Sequence, residues 1–420
     1  MPQRKATIYL IIVVFIATGF ILEQPFFFNL ALLFIFLVLI SYLWGIISLR
    51  GLHLKRITSS LQCQVGQDIV EVMHLYNATW LPKLWIEIED HSTLSAHQAN
   101  MNMVIPFIAP HDTFTWQLKT PCDVRGEYLL GPLIISTIDP FGIFVISRKI
   151  QQTAKFIVYP NAVKIDRLSL PQSTLSGGAR RNHPAHNITT NAVSVREYRQ
   201  GDSFRSIHWS SSAKRDMLMV KEFELDLTKE VWLIVDFEVD FTQQDASRTT
   251  HSHRSGIIND RLQDFSIAEY IVVIATSLTQ YFASQQYSMG YIAYDTDYIL
   301  HPPDRQSQLQ RRIRHHLATI QHTAEVGLAE ILATQTHLLR RGAPVVILTS
   351  NVDSAWVTEA IALKRRGFLP FCVLVEPQSF RSQQTIATNE YQLHSAKIPT
   401  ITVRYGDNLK HTLSQKPRLL

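Results

Sequence analysis

Three acidic side chains alternate along one short stretch of the chain. Asp236, Glu238 and Asp240 follow the apolar run at residues 231–235. Successive side chains of an extended strand point to opposite faces, so carboxylates spaced by two residues can share one side. Carboxylate oxygens are the ligands that Mg²⁺ prefers. The stretch therefore has two interpretations, a cation site or a solvated acidic strand end.

A second stretch, residues 195–224, combines alternating charges with a tight turn and a His-Trp pair. Its distinctive members are Arg196, Glu197, Tyr198, Arg199, Gly201, Asp202, Arg205, His208 and Trp209. Three interpretations are open. The charges could form partly buried ion pairs, with Trp209 as an apolar anchor. The same residues could form an exposed docking surface, since Arg and Trp dominate binding hot spots. His208 could act as a catalytic base.

The sequence gives little support to the catalytic interpretation. Neither a nucleophile nor a second catalytic group accompanies His208. The chain also contains no Walker A, GxGxxG, HExxH or GxSxG pattern. We therefore expect a protein that is not an enzyme.

Composition limits the other classes of function. The 420 residues carry a net charge of +5, and part of this excess flanks apolar segments, so nucleic acid need not be a partner. The cysteines, Cys63, Cys122 and Cys372, form no CxxC pair. Their spacing supports neither a zinc site nor a disulfide framework, and it suits a reducing compartment.

Two uncharged apolar segments, residues 6–22 and 25–49, open the chain. A helix needs about 20 apolar residues, within a range of about 17–25, to span a bilayer. Pro25 suits the first turn of a new helix. A cleaved signal peptide is the alternative, but no small-x-small site precedes Pro25 and a second apolar segment follows at once. We predict a hairpin of two transmembrane helices.

Positive charges predict the orientation of that hairpin. Arg4 and Lys5 precede the first segment, Arg50, Lys55 and Arg56 follow the second, and the connecting loop has neither Lys nor Arg. Because positive residues favour the cytoplasmic side, both ends should face the cytoplasm. We predict a multi-pass protein of the plasma membrane with both termini and its soluble domains in the cytoplasm.

Hydrophobic patterning predicts the domain organisation of the remainder. Residues 69–75, 84–89 and 113–118 alternate apolar and polar side chains, which indicates half-buried strands of a small β-sandwich. After residue 230, apolar strands alternate with helices, which indicates a doubly wound α/β domain. The predicted parts are 1–56 (two membrane helices), 57–160 (β-sandwich), 161–229 (connector), 230–406 (α/β domain) and 407–420 (tail).

Within the α/β domain the patterns give individual elements. The predicted helices cover 264–285, 305–319, 325–341 and 354–366. The predicted strands cover 231–235, 289–294, 344–349, 369–375 and 401–404, with an edge strand at 298–301.

The stretch 195–224 resembles the central signature of the domain-of-unknown-function-58 (DUF58) family, whose usual form is close to VREYxxGDxxRxIHWxxSAxxxxLMVxEFE. Residues 123–132, 139–144 and 156–160 resemble its other conserved segments. The resemblance implies a bacterial membrane protein with a von Willebrand factor A-like domain. It also implies links with MoxR-type AAA+ ATPases and with transglutaminase-like membrane proteins, and it supplies no biochemical activity.

A von Willebrand factor A-like domain often carries a magnesium site of the form Asp-x-Ser-x-Ser, completed by a Thr and an Asp from later loops. The resemblance assigns Asp236 to the first position, and Glu238 and Asp240 replace the two serines. Thr323 would be the loop Thr, and Ser350 falls where the later Asp is usual. The site is altered at three of its five positions, so it is a degenerate candidate for Mg²⁺.

These observations favour a membrane-anchored adaptor or scaffold that faces the cytoplasm. It would bind protein partners, a MoxR-type AAA+ ATPase first among them, through the stretch 195–224 and the α/β domain. The alternative is a metal-dependent hydrolase or other enzyme that uses the acidic cluster at 236–240 with His208. A complete acid, base and nucleophile set would favour the enzyme, and the sequence contains none.

Overall fold

A computed structural model describes most of the chain. The described residues are 2–94, 96–97, 102–171, 192–199, 204, 207–223, 229–238, 266–295, 298–305, 307–320, 326–380, 382 and 384–417. They divide into two compact units. The first unit comprises Met1–Asn161 and Arg314–Ile320, and the second comprises Ala162–Ile313 and Gln321–Leu420.

The first unit begins with two apolar helices, α1 (Pro2–Leu22) and α2 (Pro25–Leu49). Pro25 occupies the first turn of α2, where its missing N–H costs no hydrogen bond. The helices pack side by side through Phe15–Phe34 and Phe20–Phe28 ring contacts, with centroids 5.7 and 5.1 Å apart. Among the described helices, α2 alone is long and apolar enough to cross a membrane, and Ala6–Leu22 forms a shorter apolar stretch.

Ten strands follow in the first unit. They are β1 (Leu52–Thr58), β2 (Gln62–Gln64), β3 (Asp68–Asn77), β4 (Lys83–Asp90), β5 (Met103–Ile108), β6 (Thr113–Pro121), β7 (Gly126–Leu130), β8 (Leu133–Ile138), β9 (Val145–Ile150) and β10 (Ala154–Tyr159). Sheets β1-β3-β6 and β5-β4-β8-β9 are antiparallel, and β2-β10-β7 is a mixed sheet. The two antiparallel sheets share one apolar core, because alternate residues such as Met73 and Ile86 point inward.

Between these strands lies a buried ionic cluster. Arg56 on β1 pairs with Asp90 on β4 and with Glu71 on β3, its Nε lying 3.5 Å from the Glu71 carboxylate. His97 contacts both carboxylates and is fully buried. A buried charge is tolerated only when it is paired, so Arg56 compensates the two acidic groups Asp90 and Glu71.

The C-terminal part of α2 packs against β8 and β9. The Ser41 hydroxyl donates to the Asp139 carboxylate, and Gly45 lies so close to Ile146 that an added Cβ would stand 2.7 Å from its Cδ1. The buried Lys83 ammonium donates to the Ile47 carbonyl at 2.8 Å, where the carbonyls at a helix end lack partners within the helix. We call strands β1–β10 the β domain. The apolar helix α2 thus packs directly against this β domain.

The second unit contains a short antiparallel pair, β11 (Ala192–Glu197) and β12 (Met219–Phe223), with α3 (Trp209–Arg215) between them in sequence. The prediction treated this stretch as a connector, so it missed both strands. Charged residues interrupt the apolar alternation that would have indicated them. Residues 172–191 of the predicted connector lie outside the described part of the chain.

A six-stranded sheet forms the centre of the second unit, in the order β15-β14-β13-β16-β17-β18. Its strands are β13 (Glu230–Val235), β14 (Ser288–Tyr294), β15 (Tyr298–Asp304), β16 (Pro344–Thr349), β17 (Leu369–Val375) and β18 (Thr400–Val403). All neighbours pair in parallel except the edge strand β15. Such strands are covered on both faces, which explains their continuous apolar runs.

Helices connect these strands. They are α4 (Ile267–Ser284), α5 (Ser307–Thr319), α6 (Leu328–Thr334), α7 (Ala355–Arg365), α8 (Ala387–Ser395) and α9 (Leu409–Ser414), with 3₁₀ turns at Gln335–Leu338 and Pro377–Phe380. Trp232 and Trp356 are buried in one core cluster of the sheet and its helices. Gly290 lies directly beneath the Trp232 ring, where a Cβ would approach to 2.5 Å.

Two segments of this unit differ in detail from the predictions. The helix expected over 325–341 is shorter, because α6 ends at Thr334 and a 3₁₀ turn follows. Thr334 and Thr336 hydroxyls donate back to carbonyls four residues earlier, which competes with a regular helix. The predicted tail 407–420 contains α9, whose Leu409 and Leu413 are fully buried.

Candidate functional site

Backbone pairing organises the stretch that resembles the family signature. The Tyr198 amide donates to the Leu218 carbonyl at 2.8 Å, and the His208 amide donates to the Met219 carbonyl at 2.8 Å. Ile207 forms an isolated antiparallel bridge with Val220. These bonds hold the residues before and after α3 against one another. We call this β11–α3–β12 arrangement the signature module.

His208 has a structural role in the signature module. Its Nδ1 accepts from the Ser211 amide at 3.2 Å and lies 2.6 Å from the Ser211 hydroxyl, so it caps the N-terminus of α3. The accepting role requires Nδ1 without a proton. The Ser212 hydroxyl accepts from the Met219 amide and donates to the His208 carbonyl. One nitrogen of the proposed catalytic base is therefore engaged in helix capping.

Large apolar side chains of the signature module face solvent. Phe204 is 69% exposed and Trp209 is 66% exposed, and Met217 and Leu218 are also exposed. The centroids of the Phe204 and Tyr198 rings lie 5.9 Å apart, and the Tyr198 amide donates a hydrogen bond to the Leu218 carbonyl. Most of the Trp209 surface is accessible, which does not favour its interpretation as an apolar anchor.

Charged members of the module are exposed as well. Glu197 and Arg199 are exposed, as are Lys214 and Arg215 in the last turn of α3. Arg196 Nη1 donates to the Glu197 carbonyl at 3.0 Å. Glu197, Arg199, Lys214 and Arg215 therefore lie at the surface of the module. Gly201, Asp202 and Arg205 lie outside the described residues.

Asp236 occupies the C-terminal end of β13 and is almost completely buried. Its carboxylate accepts from the Thr349 hydroxyl at 2.5 Å and from the Glu238 amide at 2.9 Å. Burial raises the pKa of this carboxyl to about 6, while the two hydrogen bonds act in the opposite direction. The group therefore titrates between acidic and neutral pH.

Glu238 lies two residues beyond Asp236 and is exposed. Its Oε2 accepts from the Asn351 side-chain amide at 2.8 Å. A nitrogen that donates to a carboxylate in this way cannot also be a metal ligand. The two carboxylates are thus held by hydrogen-bond donors of the protein itself.

The structure describes only part of the predicted magnesium site. Ser350 is buried and follows Thr349 at the end of β16, the parallel neighbour of β13. Asp240 and Thr323 lie outside the described residues. Among the residues that are described, no group of three or more His, Cys, Asp or Glu side chains could hold a metal ion. Because two of the five predicted ligands lie outside the described residues, the magnesium site remains a prediction.

Sequence reasoning missed Thr349 and Asn351, which contact the acidic pair directly. A signal for both was present, because they end the apolar run 344–349 and parallel strands bring their carboxyl ends to the same edge of a sheet. The ionic cluster around Arg56 had no such signal. Its members come from four separate segments whose pairing depends on the tertiary fold.

Comparison with known proteins gives a family match over part of the chain. The family described as "Protein of unknown function DUF58" matches residues 194–369, which include most of the signature module and the sheet as far as the start of β17. An uncharacterised protein of Bacillus subtilis (strain 168), YeaD, is 25% identical over 207 residues. The match covers 47% of this chain and 51% of YeaD, so the chain spans about half the length of that relative.

Solved structures give only distant similarity. The hypothetical protein BatB from Bacteroides thetaiotaomicron is 14% identical with a TM-score of 0.30, and the match covers 44% of this chain and 95% of BatB. Proximal thread matrix protein 1 from the mussel byssus is 13% identical with a TM-score of 0.29, covering 45% of this chain and 47% of that protein. Scores this low carry no argument about function. The described residues themselves form a mixed α/β structure with an N-terminal apolar helix long enough to cross a membrane.

Proposed function

We propose that this chain is a membrane-tethered adaptor that binds a protein partner through the signature module. The observation that carries the proposal is the exposure of Trp209 and Phe204 within the residues matched by the family. Monomeric surfaces rarely expose clustered large apolar groups without a use for them. Trp is also the residue type most enriched in binding hot spots.

The apolar helices provide the tether in this proposal. α2 is long enough to span a bilayer, and α1 contributes a second, shorter apolar helix packed against it. Most large side chains of α2 between Phe26 and Leu43 are exposed, as lipid-facing groups would be. We propose that the pair crosses the membrane as a hairpin with both ends in the cytoplasm, as the flanking positive charges favour.

The chemistry of the module defines the partner. Lys214 and Arg215 are exposed in the last turn of the short helix that begins at Trp209, so we propose that the complementary surface combines an apolar pocket with acidic groups. We propose a MoxR-type AAA+ ATPase as the partner, and a transglutaminase-like membrane protein as a further member of the assembly. The family resemblance supports both choices.

A non-enzymatic role is part of the proposal. Two observations favour it over the hydrolase alternative. His208 Nδ1 accepts a helix-capping hydrogen bond, and the carboxylates of Asp236 and Glu238 accept from donors of the protein itself.

Binding between purified components tests the proposal. The full-length chain in lipid nanodiscs would be titrated with a purified MoxR-type ATPase from the same genome, with and without ATP. We expect saturable binding that weakens at least tenfold in the Trp209→Ala and Phe204→Ala variants, because truncated hot spots typically cost more than about 1.4 kcal/mol. Tyr391→Ala is the matched control, since Tyr391 is 70% exposed on α8. Equal affinity of all variants would refute the module as the binding site.

A further inference from the structure

The loop between β8 and β9 is attached to both apolar helices. Asp139 accepts from the Ser41 hydroxyl of α2, and the Phe144 ring lies 5.6 Å from the Tyr42 ring. Phe141 also lines, with Thr7 and Ile8 of α1, a surface depression of about 230 Å³. The Asp139 carboxylate accepts the Phe141 and Phe144 amides, which fixes the shape of the loop.

Helix length places this loop at the edge of a bilayer. From Pro25 to Ser41, α2 rises roughly 25 Å at about 1.5 Å per residue. A hydrocarbon core is about 30 Å thick. The helix also begins to bury polar contacts with the β domain at Ser41. Tyr42 and the β8–β9 loop would therefore lie at the headgroup level, where aromatic side chains concentrate.

The outer side of sheet β5-β4-β8-β9 carries exposed apolar groups that continue from this loop. They are Trp85, Val104, Phe107 and Phe141, each more than half exposed, and we call them the aromatic face. Trp85, Val104 and Phe141 line one depression of about 380 Å³. The Lys83–Ile108 pair is buried, so the adjacent Leu84–Phe107 pair points to the opposite, outer side of the sheet. Phe141 belongs to both depressions, so the face continues to α1 without a break.

The backbone at Trp85 supports a specific use of this face. Trp85 has φ +51°, a left-handed conformation that costs a bulky side chain about 1–2 kcal/mol. The strand register places Pro106, which has no N–H to donate, opposite it on β5. A strained backbone that presents a tryptophan to solvent indicates a role outside the fold itself.

We propose that the aromatic face is a lipid-docking surface, which inserts into the headgroup and acyl boundary of the same bilayer that holds the helices. This inference rests on the proposed membrane anchoring. Glu87 also lines the depression, so attraction to anionic lipid is not the driving force. The face docks by burial of apolar and aromatic groups, and it thereby fixes the tilt of the β domain on the membrane.

Spin labels attached to single introduced cysteines test this inference in three full-length variants whose native cysteines are replaced by serine or alanine. Each variant is reconstituted in phosphatidylcholine nanodiscs. Phe107→Cys reports the aromatic face. Leu33→Cys, on the exposed side of α2, reports the anchor. Ile57→Cys is the matched control, an exposed apolar site on β1 roughly 16 Å along the strand from Leu52 at about 3.3 Å per residue. The measured quantity is relaxation by oxygen, which partitions into lipid, relative to relaxation by a water-soluble nickel chelate.

We expect a several-fold higher oxygen-to-nickel ratio at Phe107 than at Ile57, and the same ratio when phosphatidylglycerol is added. A lipid-like ratio at Leu33 with water-like ratios at Phe107 and Ile57 would overturn docking and leave the anchor intact. A water-like ratio at Leu33 would overturn both. A lipid-like ratio at Phe107 that appears only when phosphatidylglycerol is present would mean that anionic lipid drives docking, and it would overturn insertion by apolar burial.

Discussion

Replacing Asp236 by Asn changes how the stability of the α/β domain depends on pH. Burial raises the pKa of Asp236 to about 6, against an ordinary value of 3.8 for Asp. One pKa unit corresponds to about 1.4 kcal/mol, so the shift amounts to about 3 kcal/mol. A raised carboxyl pKa means that the folded state binds the proton more tightly than the unfolded chain. The native protein should therefore lose about 3 kcal/mol of unfolding free energy as pH rises from about 4 to above 6.

The assay compares the native chain with the Asp236→Asn variant at each pH, so that all other titrating groups cancel. Guanidinium unfolding of the full-length proteins in mild detergent would be followed by fluorescence of the buried Trp232 and Trp356. Below pH 4 the difference should be a constant offset that reflects the altered hydrogen bond to Thr349. Above pH 6 the variant should gain about 3 kcal/mol relative to that offset.

A difference that stays constant from pH 4 to pH 7 would refute a buried, proton-binding Asp236. The same experiment with millimolar Mg²⁺ distinguishes the magnesium prediction. A cation bound by an ionised Asp236 would stabilise the native chain at neutral pH and leave the variant unchanged, because a ligand stabilises only the state that binds it.

Two further substitutions test the internal packing of each unit separately. Arg56→Met leaves two buried carboxylates without their cation and should lower the unfolding free energy by roughly 3–5 kcal/mol. The control Lys55→Met, at an exposed neighbouring site, should change the unfolding free energy by less than about 0.5 kcal/mol in the same denaturant titration. Gly290→Ala drives a methyl group into the buried Trp232 ring and should cost about 1–3 kcal/mol with altered Trp fluorescence; an unchanged unfolding midpoint would contradict the close contact.

The strands and the parallel sheet were predictable because their signals are local. The alternating runs 69–75, 84–89 and 113–118 lie within β3, β4 and β6, and the strand predictions are confirmed there. The continuous apolar runs 344–349 and 369–375 became parallel neighbours β16 and β17. Period-two alternation and unbroken apolar runs are properties of a few consecutive residues.

The signature module was not predictable in the same way. Its strands pair only after α3 brings Met219 back to His208, and charged residues interrupt the apolar alternation of both strands. Exposure of Trp209 could not be read from the sequence either, because a tryptophan is compatible with a core or with a binding surface. The contacts of Asp236 with Thr349 likewise depend on two strands that are more than a hundred residues apart.

Site-specific photocrosslinking in native membranes tests the central claim most directly. A photoreactive amino acid would replace Trp209 in one full-length variant and Tyr391, a comparably exposed aromatic residue on α8, in another. We expect one discrete protein adduct from position 209, none from position 391, and loss of the adduct when Lys214 and Arg215 are both changed to Glu. Absence of any adduct at position 209, or the same adducts from both positions, would contradict a protein-binding role for the signature module.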